Sequence, residues 1–336
     1  MELTEEHRAL RDAVRGLLAG HPARAAVEQP GGYDAGLWQR LCKEIGVAGL
    51  AVPSAYGGAD ATLLESCVVL GEWGRQLTPG PMLGCGVLAT QALLRAGDSV
   101  RLPDVCSGDL IAAVAWPFAV TGGRLTGEAR QVLDAGSAEV LLVAAGPTLY
   151  EVPVDAPGVA VEPADVLDPT RRLATVRFSD VPGRPIGSVE IPWLRDLACV
   201  ALSAEQVGAA SRAFELTHEY VQQRVQFGRP IGSFQVLQHR LAEAYLRLEA
   251  ATTASWNAAE AFVAGSAEAP TLAAMAKGYC SEALRAIAAE MVQMHGGIAI
   301  TWEHDAHLYL RRAYADSQLF GAPETHLDRL AATWLG

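Results

Sequence analysis

The sequence predicts a mainly α-helical protein with a small antiparallel β domain in its middle. Three observations carry that expectation. Helical periodicity fills residues 1–109, short apolar runs between turn residues fill 110–190, and long helical periods return over 191–336.

In the first segment Leu10, Val14 and Leu17 share one stripe, and Leu37, Leu41 and Ile45 share another, at the three- and four-residue steps of a helix face. Breakers divide these helices at Gln29–Gly32, at Pro53–Gly58 and at Thr78-Pro79-Gly80-Pro81. The middle segment holds the runs LIAAVAW, AEVLLVAA, GVAVEP and LATVRF, each bounded by Gly, Pro or Asp. The last segment reads as longer helices. Val207, Ala210, Phe214, Val221 and Val225 mark one face, and Leu237, Leu241, Leu248 and Phe262 mark the next. A third face carries Leu272, Met275, Tyr279, Ile287 and Met291. Helices so weakly charged on several sides suit a four-helix bundle or an oligomer interface.

Composition narrows the function. Of 336 residues, 50 % are hydrophobic and 19 % charged, enough apolar surface for two or three packed units. The 26 basic and 38 acidic side chains sum to −12 without a polybasic stripe, so nucleic acid is not an expected partner. The N-terminus, MELTEEHRALRDAV, lacks the basic and apolar regions of a secretory signal, and no apolar run has the length of a membrane span, so no membrane association and a cytoplasmic location are expected. Cys42, Cys67, Cys85, Cys106, Cys199 and Cys280 have no metal-ligand spacing and read as buried thiols, so no metal is expected.

Two motifs in the last segment carry chemistry, RVQFGRPIGSFQ (224–235) and QMHGG (293–297). An extended dinucleotide needs fixed donors for its pyrophosphate and a close backbone approach that glycine permits. Taken singly, Arg224 reads as a solvated helix end, Phe227 as a core aromatic and Gly296-Gly297 as a helix C-cap. Taken with LWQRLCKEIGVAGLAVPSAYGG (37–58) and LDPTRRLATVRFSDVP (167–182), the motifs resemble the acyl-CoA dehydrogenase flavoproteins over nearly the whole chain. The resemblance implies that family's three domains, with the middle one shortened. It also implies that Arg224, Phe227, Gln235, Gln293, Gly296 and Gly297 touch the ADP part of an FAD shared across a subunit interface and held mainly by a neighbour. His295 reads as a packed or backbone-bonded histidine, and Met275, Met291 and Met294 as core. Arg311 and Arg312 read as complements to the dipole at a helix C-terminus.

The resemblance also exposes departures. In that family a glutamate removes the α-proton of an acyl-CoA while hydride passes from the β-carbon to flavin. The turn that bears it reads LFGAPETH (319–326) here, and the expected position falls on Gly321, or on Ala322 with a one-residue slip. A second family placement falls on Ala198, beside Cys199. None of these can take a proton from carbon. Glu324 is a fallback three residues on, and Glu205 sits on the wrong turn of its helix. The family's Thr-Glu-Pro…Gly-Ser-Asp loop would fall near Trp116-Pro117 and is missing. Its Trp-Ile-Thr flavin contact would fall on Gln131-Val132-Leu133. The chain is therefore similar to the short, base-lacking subunit of actinobacterial hetero-oligomeric dehydrogenases that act on steroid side-chain thioesters. That likeness implies a base-bearing partner subunit in an α2β2 assembly, acyl-CoA held mainly on the partner, and an electron-transfer flavoprotein as acceptor. Three alternatives stand beside it: a homo-oligomeric dehydrogenase with a displaced carboxylate, a cofactor-free scaffold or CoA-ester binding subunit, and a monooxygenase of the same fold. The last would need a complete flavin site.

Overall fold

The computed structural model describes residues 3–335. Its N-terminal helices begin where the sequence supplies caps. The Thr4 side chain accepts from the His7 amide at the start of α1 (Glu5–Leu18). After α2 (Ala23–Val27), Asp34 accepts from the Leu37 amide to open α3 (Ala35–Arg40). Thr62 and Glu65 cap each other's orphan donors at the start of α4 (Leu63–Arg75). Wide π-type turns at Leu41–Ile45 and Met82–Ala89 lead on through α5 (Thr90–Ala96) to α6 (Leu102–Cys106).

The middle domain holds eight strands: β1 (Ala112–Ala115), β2 (Ala119–Thr121), β3 (Arg124–Leu133), β4 (Val140–Ala145), β5 (Thr148–Pro153), β6 (Val159–Pro163), β7 (Leu173–Pro182) and β8 (Arg184–Ser188). They form two four-stranded sheets, ordered β1-β4-β5-β8 and β2-β3-β7-β6. The expectation of an antiparallel domain needs one correction, because β1 and β4 pair in parallel, with Ala112 opposite Val140. Between them the chain leaves the first sheet, builds β2 and β3 of the second, and returns. That excursion supplies the long crossover a parallel pair requires.

Long helices follow: α7 (Ile191–Gln223), α8 (Gln235–Val263), α9 (Ala269–His295), α10 (Ala306–Gln318) and α11 (Pro323–Leu335). A two-stranded ribbon, β9 (Val225–Gln226) with β10 (Arg229–Pro230), joins the first two. Val225 therefore lies outside the helical face assigned to it and is exposed, because α7 stops two residues earlier. α9 is central to the bundle, packed on α7, α8, α10 and α11. The N-terminal domain joins the bundle through α4 and α7, which cross at backbone contact. A Cβ on Gly208 would lie 1.8 Å from the Gly71 carbonyl oxygen, and one on Gly74 1.9 Å from that of Glu205. One apolar core runs from the N-terminal helices through both sheets into the first half of α7, and a second fills the bundle. All six cysteines are buried and free. Among the described residues no helix is long and apolar enough to cross a membrane.

Candidate functional site

Both chemistry-bearing motifs lie at one end of the bundle. Tyr220, in the last turn of α7, stacks on His295, in the last turn of α9, at 4.2 Å between ring centroids. Arg224 caps α7 in extended conformation, and its carbonyl accepts from the Ile231 amide, closing the ribbon. The ribbon's two-residue turn is Phe227-Gly228, both at positive φ, the hairpin geometry that asparagine and glycine ordinarily fill. Phenylalanine there is backbone-strained, and the residue is 90 % exposed. Both features argue against a core aromatic. Gln235 opens α8, and Gln293 stands on the last turn of α9, both exposed. Among the described residues the side chains of Arg224, Gln235 and Gln293 have no hydrogen-bond partner. Phe227 and Gln293 line one groove of about 340 Å³ with Phe234, Val236 and Arg240. Gly296 ends α9 at φ +65, and a Cβ there would meet nothing within 4 Å, so the dihedral rather than space calls for glycine. A cationic donor, two free carboxamides, a presented ring and open backbone form a surface that could hold an extended anionic ligand such as the ADP part of FAD.

His295 is buried, bonded through Nδ1 to the Met291 carbonyl at 2.8 Å, and burial lowers its pKa. It is a packing residue. Met291 and Met294 are core, with Met275 half-buried.

A second feature lies where the middle domain meets the C-terminal one. Trp116 at the end of β1, Gln131–Leu133 on a bulge of β3, and Leu319–Gly321 after α10 converge on one cleft, with Gly84 and Leu88. These are the segments where the resemblance puts a covering loop, a flavin contact and a base. The cleft holds about 190 Å³, below the roughly 300 Å³ at which small-molecule sites begin. Trp116 and Phe320 form part of its wall, stacked on each other at 5.8 Å and 15°. Among the described residues no carboxylate lines the cleft. An isoalloxazine ring does not fit it in this form.

The substitute bases are all placed elsewhere. Glu324 is exposed in the first turn of α11. Glu205 is fully buried, with both carboxylate oxygens bound to Arg171, one of them also to Arg312 at 2.6 Å. Burial pushes the Cys199 thiol up to about 12, so it stays protonated at 3.8 Å from His326. The reading of Arg311 and Arg312 as dipole complements also needs correction, because both sit mid-helix in α10. Arg312 is 1 % exposed and bonds Asp168, Glu205 and Thr170; Arg171 joins Glu205 to Asp316. Sequence reasoning missed this cluster, the Trp116–Phe320 stack and the buried Lys277. A charge at helical spacing does not announce a partner more than a hundred residues away.

The family model described as acyl-CoA dehydrogenase, N-terminal domain, matches residues 4–108, and that of the C-terminal domain matches 197–335. The chain is 40 % identical over 337 residues to acyl-CoA dehydrogenase IpdE2 of Mycolicibacterium smegmatis, covering 98 % of this chain and 99 % of that one. Two solved structures are similar throughout. A variant of the Tcur3481-Tcur3483 steroid ACAD aligns with TM-score 0.91 and 31 % identity, over 98 % of this chain and 97 % of that chain. The ChsE4-ChsE5 complex from Mycobacterium tuberculosis aligns with TM-score 0.92 and 29 % identity, over 99 % and 98 %.

Proposed function

We infer the role of this chain from one premise: it belongs to the acyl-CoA dehydrogenase family of oxidoreductases, whose members bind FAD. The reading best supported is a non-catalytic subunit of a hetero-oligomeric dehydrogenase that oxidises the α,β-bond of a bulky acyl-CoA thioester, such as one with a steroid side chain. The observation that carries it is the contrast between the two half-sites. The side chains of Arg224, Gln235 and Gln293 face outward without hydrogen-bond partners among the described residues, while the cleft has neither a base nor room for a flavin.

FAD, when bound, accepts the hydride that leaves the acyl β-carbon. On this reading the present chain contributes only to holding the cofactor. Arg224 places a planar guanidinium for charge-assisted bonds to the pyrophosphate. Gln235 and Gln293 offer carboxamides, Phe227 offers a ring face, and Gly296 and Gly297 leave backbone accessible. The partner subunit supplies the flavin pocket, the glutamate and most of the acyl-CoA site in an α2β2 assembly, with an electron-transfer flavoprotein as acceptor. The names of the solved relatives support this pairing, since each names two chains and one names a steroid substrate class.

Arg224→Ala in the coexpressed complex tests it. Loss of a charge-assisted bond of about 1.5–3 kcal/mol should weaken flavin binding roughly ten- to hundredfold and leave the purified complex depleted of FAD. Unchanged flavin occupancy would remove Arg224 from the site.

A further inference from the structure

We propose that this chain shuts its own flavin cleft with the stacked pair Trp116 and Phe320, and that Lys277 is the strut that keeps the pair in place. The inference rests on the reading of the chain as a lending subunit and adds how it avoids taking a cofactor ring itself.

The two rings come from different domains, Trp116 from the end of β1 and Phe320 from the turn after α10, and stacked together they wall the cleft and narrow it. Phe320 does so at φ +61, a conformation that a bulky L-residue keeps only when its surroundings over-determine it. The surroundings here are specific. Lys277 is 0 % exposed, and its Nζ donates to the Ser317 carbonyl at 3.1 Å, the Gly321 carbonyl at 3.1 Å and Ser281 Oγ at 3.0 Å. His326 Nε2 donates to the Phe320 carbonyl at 3.2 Å. The carbonyls at both ends of the 317–321 turn and the one on Phe320 itself are therefore pinned from inside the bundle.

Among the described residues Lys277 has no carboxylate partner. A buried amine without an anion opposes folding unless its donors are used, and burial lowers its pKa accordingly. Two of its three acceptors are turn carbonyls, so the main thing this costly group does is fix the turn. With Phe320 fixed, the remaining space of about 190 Å³ falls short of what a flavin head requires. A flavin seated beside no base would dehydrogenate nothing. The stack keeps the complex to flavins placed on the base-bearing subunit.

The test uses the full chain expressed alone and lumiflavin as probe, an isoalloxazine ring without the ribityl-ADP tail, followed by quenching of its fluorescence. Wild type should show no saturable binding. Phe320→Ala should bind at least about tenfold more tightly than the wild-type limit, with Trp116→Ala as the second variant should Phe320→Ala not fold. Lys277→Met, which keeps chain length but donates nothing, should also admit the probe. Saturable binding by wild type, or none by a folded variant lacking either ring, would overturn the closure. Binding by the ring variants but not by Lys277→Met would overturn the strut. Because lumiflavin lacks the part of FAD that Arg224 is assigned to hold, these outcomes are independent of whether the complex keeps its FAD in Arg224→Ala.

Discussion

His326 shows what one buried side chain does to the stability of this protein. Burial first, then the neighbouring charges of Lys277, Arg329 and Arg195, hold its pKa down from 6.5 to about 4. Between those values the unfolded chain takes up a proton that the folded chain refuses. The stability present above pH 6.5 is thus lost as pH falls toward 4, by on the order of 3 kcal/mol. Asp316 acts in the opposite sense, since burial raises its carboxyl to about 6 and proton uptake below that favours the folded state. Comparison with His326→Gln cancels that contribution, because both proteins carry Asp316. The urea midpoint of His326→Gln should fall less than that of wild type between pH 6.5 and 4, and parallel pH profiles would contradict the assignment. At this scale the sequence was only partly legible. Phe227 could be singled out because it lies in a motif with Arg224 and Gln235. Phe320 could not, since its importance comes from a positive φ and a ring across the domain boundary, neither of which a one-dimensional pattern records.

Elements are held together by two devices of different legibility. The crossing of α4 and α7 depends on glycines at their contact, and glycine within a helical period is visible in the sequence even though its partner helix is not. The second device is the buried cluster in which Arg171, from the loop before β7, and Arg312, from α10, meet Asp168, Glu205 of α7 and Asp316. Its members are 0 % to 7 % exposed, so removal of one cation leaves carboxylates buried without compensation. Arg312→Met should therefore cost roughly 3–5 kcal/mol in chemical denaturation, far more than an exposed pair would. A loss under about 1 kcal/mol, the range of surface pairs, would show that water reaches the cluster. Sequence alone made Arg312 a complement to a helix dipole, because helical periodicity reports a face and not what covers that face.

Over the whole molecule the order of helices, sheets and helices was legible because each segment has its own period and its own breakers. The parallel pairing of β1 with β4 was not, since two short apolar strands read the same in either direction. The site divides along the same line. The outward half proposed for it is built from contiguous motifs, 224–235 and 293–297, which the sequence alone could single out. The closed half is assembled from Gly84, Trp116, Gln131 and Phe320, residues distant in sequence, so only the fold brings it to light. The central claim is that the chain lends to a cofactor it does not hold alone, and a visible absorption spectrum with a flavin-to-protein ratio tests it most directly. The chain purified alone should be colourless, and coexpression with a base-bearing acyl-CoA dehydrogenase chain should give a yellow complex. About one flavin per chain in the isolated protein, the ratio of a complete cofactor site, would contradict it.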